Sequence, residues 1–161
     1  VKDNVCTVTD ILDGKIVLKD KRVALIGSGM TGLETSELLC SMGNKVTVVE
    51  MADEIAPGGY FQHIDDALPK LYDAGTVFMT SSKLVEINEN GIVTENTKTA
   101  EKTAVKADYV VLSLGSRSDN RLYEQIKDST KYKVINVGDS QRVGRIVNAT
   151  EAAYRAVISI D

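Results

Sequence analysis

Histidine occurs once in this sequence, at position 63, tryptophan does not occur, and cysteine and proline occur twice each. With His63 as the only imidazole, neither a His-based metal cluster nor a Ser-His-Asp triad is available, and His63 reads as a solvated helix residue. Cys6 and Cys40 form no C-x-x-C pair, which argues against a zinc ribbon or a local redox disulfide and fits a reduced, cytoplasmic protein. Positive charge is not in excess: 19 Lys and Arg stand against 23 Asp and Glu, a net charge of -4. No basic nucleic-acid surface is expected, and a small anionic ligand has to be held by local dipoles. No apolar run approaches the roughly 18 residues of a spanning helix, and no charged-then-apolar leader opens the chain, so no membrane partner is expected. The chain begins at Val1 rather than Met, which points to a piece excised from a longer protein. Internal repeats and low-complexity segments are lacking as well.

What is present is the length of about one domain, 161 residues, with 43% hydrophobic and 26% charged residues, enough to bury a core. Residues 22–26 (RVALI), 45–50 (KVTVVE) and 107–114 (ADYVVLSL) are short apolar runs of the kind buried on both faces of a parallel sheet. Between the first two, Thr35, Leu38, Leu39 and Met42 recur at helical spacing and Gly43 supplies a stop, so strand, helix and strand make a βαβ unit. A second helix is expected over 61–74, interrupted in its pattern by Pro69 and ended by Gly75. Thr76 to Thr80 reads as a third strand. Residues 83–95 carry Asn90-Gly91 between two apolar runs, a hairpin signal, and 96–106 gives the return strand of a small antiparallel meander. Residues 132–140 (YKVINVGDS) read as one more strand ending in a turn. Residues 145–159 read as a last helix, with Ile146, Ala149, Ala153 and Val157 on one side. The fold class is α/β, a Rossmann-like three-layer nucleotide-binding domain with a mainly parallel sheet and the meander as a crossover between its third and fourth main strands.

Gly27, Gly29 and Gly32 fit G-x-G-x-x-G directly after a strand and at the start of a helix, with Ser28, Met30 and Thr31 between them and small Ser36 four residues on. Such a turn presents unpaired N–H groups and the positive end of a helix dipole to phosphates. Glu50 ends the second strand about 20 residues on, where a carboxylate can accept hydrogen bonds from the ribose hydroxyls of an adenosine. A Walker-type NTPase is rejected, because Leu33 and Glu34 stand where Lys and Ser or Thr are needed. NADH is expected over NADPH, because Glu50 would oppose the 2′-phosphate by several kcal/mol, on the order of a like-charge contact at an effective dielectric near 20. After Glu50 the next Lys or Arg in the sequence is Lys70. A glycine turn with a following acid also suits an S-adenosylmethionine methyltransferase, and a stand-alone NAD-sensing module would use the same residues.

"GLE" (32–34), "VVLSLGSRSDN" (110–120) and "INVGDS" (135–140) follow in the order seen in pyridine-nucleotide domains of two-dinucleotide-binding flavoproteins of the disulfide-reductase type. The chain resembles them over nearly its whole length, and "IGSGMTGLETSELLCSMGNKVTVVEMADEIAP" is similar to the C-terminal half of NADH:flavin oxidoreductases that resemble 2-enoate reductase and 2,4-dienoyl-CoA reductase. The resemblance implies a nucleotide domain inserted in an FAD domain. Residues 1–18 would then be a lead-in from that FAD domain, 19–118 the NAD(H)-binding domain, and 119–161 the return segment of the FAD domain. By the same resemblance Asp139 would hydrogen-bond the FAD ribityl chain, Glu34 would lie near the nicotinamide pocket, and Gly115 would be where strand and cofactors come close. Read without the family, Asp139 is an ordinary turn aspartate and Glu34 a helix-start acid. Ser118 replaces the proline usual in such proteins. The chain carries one G-x-G-x-x-G where an FAD domain needs a second of its own. The expected function is therefore to bind NADH and orient it for hydride transfer to an FAD held by the rest of a parent enzyme, the FAD-binding domain of the same parent chain being the partner. No residue here is expected to be an acid–base catalyst or a metal ligand, and the isolated chain is expected to be inactive.

Overall fold

The computed structural model describes residues 3–128 and 131–160; Val1, on which the expectation of an excised start rests, lies outside them. Val23, Ala24, Leu25 and Ile26 are all buried, and an apolar run without alternation lies comfortably only at the centre of a sheet covered on both faces. This run is β2 (Arg22–Ile26), and it pairs in parallel with β3 (Lys45–Val49) on one side and β8 (Tyr109–Leu112) on the other. Beyond them lie β1 (Val5–Thr7) next to β8 and β4 (Val77–Met79) next to β3, for a sheet order of β1-β8-β2-β3-β4. Helices α1 (Val8–Leu12), α2 (Met30–Ser41) and α3 (Phe61–Asp73) follow β1, β2 and β3. A separate antiparallel sheet of β5 (Ser82–Asn88), β6 (Gly91–Asn96) and β7 (Lys102–Lys106) fills the crossover from β4 to β8.

Period-two alternation sorts the sheet's side chains between two cores. Val23 and Leu25 pack with Leu39, Val46, Val48 and Val111 on the side of α2, whereas Ala24 and Ile26 pack with Val49, Val110 and the meander residue Ile92. Leu33 of α2 meets Ala67 and Leu71 of α3 in a third cluster. The end of α2 is tied down by a buried polar group: the Asn44 amide donates to the carbonyls of Leu18 and Leu39, and its oxygen accepts from the Lys21 N–H. Together these make the three-layer arrangement of helices, parallel sheet and meander expected from the sequence.

Several expectations shift in detail. The hairpin forms, but Asn88 pairs with Gly91, so Glu89 and Asn90 make its tip rather than Asn90-Gly91. Pro69 stays within α3; the carbonyl it leaves without an N–H partner belongs to Asp65, and both residues are exposed, so water can satisfy it. β1 and α1 carry no strong local signal in the sequence, and they place part of residues 1–18, expected as a lead-in from an FAD domain, inside the parallel sheet, with Cys6 opposite Val111. The strand expected at 132–140 is absent. Val137 is extended, but among the described residues no strand pairs with this run, and a single extended segment makes no ladder; only a short 3-10 turn, Gly138–Ser140, forms there.

The chain divides into two compact units, Val1–Leu114 and Gly115–Asp161. The second contains α4 (Arg121–Ile126), the Gly138–Ser140 turn and α5 (Ile146–Ile158), and none of its described residues is buried. Within it the Ser118 hydroxyl accepts from the Val143 N–H at 3.1 Å, a tie that a proline could not make.

In the first unit, Arg22 reaches from the start of β2 to Asp108, just before β8: its guanidinium and its backbone N–H both donate to the Asp108 carboxylate. The Arg22 guanidinium, and then the Arg22 N–H, hold Asp108 down at about 2. A carboxylate depressed in the folded state stabilises the fold above its ordinary value of 3.8 and loses that contribution as the pH falls toward 2. Asp108→Asn is accordingly expected to lower the thermal midpoint at pH 7 by about 2–4 °C. The gap to the unmodified chain should close between pH 4 and pH 2 in a series of melts, and a gap independent of pH would contradict the assignment.

Candidate dinucleotide-binding site

The strand order reverses at β2. The chain runs outward through β3 and β4, then returns to place β8 on the other side of β2, which opens a crevice at the carboxyl ends of β2 and β8. The glycine turn lies there. Ser113 follows β8 and donates its N–H to the Ile26 carbonyl at 2.8 Å, which draws the two strand ends together. At Gly27, with φ of +101°, a Cβ would lie 2.3 Å from the Ser113 carbonyl oxygen; at Gly32 it would lie 2.2 Å from the Gly27 oxygen. The fold itself therefore requires these two glycines. Gly29 differs: it is exposed, its φ of -53° suits any residue, and a Cβ there would meet nothing within 4 Å. Nothing inside the protein accounts for the missing side chain at the mouth of the turn, whereas a ligand backbone lying against it would.

Gly29 is also the N-cap of α2, and no side chain caps that end. The first-turn N–H groups and the dipole thus face outward, as an anion site needs. Ser36 and Thr35, both fully buried, close their own hydroxyls onto the carbonyls of Gly32 and Thr31, which lets α2 sit close to the sheet. Met30 lies with its sulfur where a Cβ on Gly59 would come within 3.1 Å, so the loop after β3 folds over the start of the helix. Thr31 and Glu34 are exposed at that helix start.

Glu50 is only 8% exposed, and its carboxylate is turned back onto the glycine turn. Oε2 accepts from both the N–H and the hydroxyl of Ser28, at 2.9 and 2.8 Å, and Oε1 accepts from the Ala52 N–H at 2.9 Å. The Ser28 oxygen in turn accepts from the Ala56 N–H at 2.9 Å. Burial alone pushes the Glu50 carboxyl up, but the donors from Ala52, Ser28 and Met51 outweigh it and bring it below the ordinary range. An ionised acid is thereby fixed at the end of β3. With two donors already on Oε2, the acceptor capacity left for a ribose is on Oε1.

The sequence brought out the glycines and Glu50 but not the Ser28–Glu50–Ala56 network, nor what encloses the cavity. A cavity of about 380 Å³ opens beside Gly27, Gly29 and Glu50, and its far wall comes from Ser82, Lys83 and Leu84 of β5. Lys83 lines the same cavity as Glu50, though 33 positions away in the chain, and no local pattern could have placed it there. Gly115 and Asp139 belong to the second unit. Asp139 is exposed, and its Oδ1 accepts from the Gly144 N–H at 3.2 Å; a Cβ on Gly115 would meet nothing within 4 Å. Residues set aside in the sequence are occupied elsewhere. Asp53 pairs with Lys98, Asp66 with Lys70 and Arg121 with Asp119; His63 is exposed; and Cys40 lies 3.3 Å from the Thr76 hydroxyl.

Residues 1–147 match the pyridine nucleotide-disulphide oxidoreductase family, and the chain belongs to it. It is 35% identical over 144 residues to the bilirubin reductase of Mediterraneibacter gnavus, an alignment covering 86% of this chain and 21% of that protein. It is 31% identical over 157 residues to the NADH oxidase of Thermoanaerobacter brockii, covering 94% of this chain and 23% of that protein. Among solved structures, a 2-naphthoyl-CoA reductase complex superposes with a TM-score of 0.80 at 26% identity, over 99% of this chain and 24% of that one. The thioredoxin reductase of T. acidophilum shares the fold with a TM-score of 0.72 at 17% identity, over 99% of this chain and 57% of that one. The chain thus spans less than a quarter of the length of the two curated relatives. Family membership favours the oxidoreductase reading of the glycine turn over the methyltransferase one.

The three glycines should separate by mutation. Gly27→Ala and Gly32→Ala are each expected to cost about 1–3 kcal/mol, since the added methyl meets backbone. Gly29→Ala, whose methyl meets no atom but which puts a poor N-cap residue at the start of α2, should cost about 1 kcal/mol or less. Urea melts of the three variants check this, and a Gly29→Ala variant as unstable as the other two would contradict it.

Proposed function

We propose that this chain is the NADH-binding part of a flavin-dependent oxidoreductase, holding the dinucleotide so that its nicotinamide faces an FAD bound by the rest of the parent enzyme. The observation that carries the reading is Gly29, exposed and free of any conformational or packing demand, at an uncapped helix start in the crevice where the strand order reverses. The pyrophosphate would lie against Gly29 and the first turn of α2, with Met30 and Thr31 beside it. The adenosine ribose would meet Glu50 in the cavity walled by β5. Glu34, further along the exposed helix start, would be near the nicotinamide.

Fixing Glu50 as an ion has a functional counterpart. A carboxylate already ionised and hydrogen-bonded needs no reorganisation to accept a ribose hydroxyl, and it disfavours a second negative charge at the 2′ position. When bound, the flavin supplies the hydride-accepting chemistry, and this chain supplies grip and orientation. Asp139 and Gly115 fit a flavin-facing role only in part. The Asp139 carboxylate keeps Oδ2 for another donor, but the second unit buries none of its described residues. Its exposed Ile146, Val147, Tyr154 and Val157 on α5, 54% exposed or more, are the surface that the FAD-binding domain of the parent chain would cover.

Calorimetric titration with NADH tests the reading. The unmodified chain should bind NADH and Gly29→Val should lose at least about tenfold in affinity with an unchanged far-UV spectrum, the equivalent of roughly 1.4 kcal/mol; equal affinity in the variant would remove the pyrophosphate assignment. Flavin content is the second check. One glycine turn cannot serve two dinucleotides, and charge-assisted hydrogen bonds are each worth roughly 1.5–3 kcal/mol, so a flavin without its own turn should be lost on gel filtration. A chain that stays yellow through the column would mean that the turn holds FAD instead.

A further inference from the structure

β5 begins at the end of β3. The Ser82 N–H donates to the Glu50 carbonyl at 2.8 Å, and the next residue is Lys83. One backbone hydrogen bond thus ties the strand that carries this lysine to the residue assigned to the ribose. Both residues line the same cavity, together with Gly29 and Met51. Lys83 is exposed and joins no ion pair among the described residues. Its cross-strand neighbour in register is Glu95, with which it forms no such pair. The other lysine near this loop, Lys98, is taken up by Asp53 at 3.2 Å.

A 2′-phosphate at the ribose would therefore meet two opposed charges. Glu50 is held ionised by its donors and has little acceptor capacity left; it repels the phosphate. Lys83 is an uncommitted cation on a flexible stem, with three donors for phosphate oxygens. We propose that Lys83 is the specificity-determining residue of this site: it takes the 2′-phosphate of NADPH, so that the chain accepts both nucleotides with a preference set by the balance of Glu50 against Lys83. The inference rests on the dinucleotide reading above and modifies its selectivity. The linear sequence after Glu50, which lacks a cation before Lys70, describes one edge of the ribose site, and β5 supplies the other.

The experiment is a titration of the chain with NADH and NADPH at low and at raised salt, for the unmodified protein, Lys83→Ala and Lys83→Arg. Lys83→Ala should weaken NADPH by about fivefold, the upper scale of one exposed charge pair, and leave NADH within about twofold. Lys83→Arg should keep NADPH affinity, and added salt should weaken NADPH more than NADH in the unmodified chain but not in Lys83→Ala. If Lys83→Ala changes neither nucleotide, or weakens both equally as a mere sheet partner of Glu95 would, the assignment is overturned; undetectable NADPH binding by the unmodified chain overturns it too. A chain that binds NADH in either case leaves the dinucleotide reading standing, whereas a chain that binds neither nucleotide overturns both.

Discussion

The carboxylate of Glu50 holds the site together. It closes a buried loop of hydrogen bonds in which the end of β3, the first spacer residue of the glycine turn and the loop before α3 all converge on two oxygens. Without it, the Ser28 N–H would be a buried donor with no acceptor, and an orphan of that kind costs about 1–3 kcal/mol. The same backbone position also anchors its neighbours: the Glu50 N–H donates to Met79 of β4, and its carbonyl accepts from Ser82 at the start of β5. A single residue thus sets the geometry of the turn, the charge at its mouth and the place where the meander leaves the sheet.

Steric closeness does the complementary work. Gly27 and Gly32 let β2, α2 and the residue after β8 approach to distances that no side chain would permit. The order of strands places this contact at the reversal point, so the parallel topology and the glycine spacing express the same constraint at two scales. Ser113, whose carbonyl stands against Gly27, lies 86 positions away in the chain.

That separation marks the boundary of what the sequence could reveal. Local patterns sufficed for β2, β3, β8, α2, α3 and the meander, because each carries its own periodicity and stop residues. They also singled out Gly27, Gly29, Gly32 and Glu50, which the fold brings to one crevice, because a turn and an acid at a fixed interval are a local code. They failed where the deciding partner is distant. The run 132–137 has the composition of a strand, but strands exist only in pairs, and among the described residues none lies alongside it. β1 is just three residues and forms because β8 is there to receive it. The hairpin tip moved by one residue because cross-strand register, with a shift between Leu84 and Glu86, overrode the preference of Asn-Gly for the central positions. Lys83 could be seen as relevant only once β5 had been folded against Glu50.

The division of the chain into a unit with three hydrophobic clusters and one in which no described residue is buried has a consequence for how the molecule breathes. Amide protons are shielded for as long as the cheapest opening that frees them is costly. In the first unit, the amides of β2 and β3 can be freed only by dismantling those clusters. In the second, α5 can fray without opening any buried cluster among the described residues. Solvent isotope would therefore enter the chain in two waves separated at Leu114, the early one from Gly115 onward, and a partner that covered α5 would merge them.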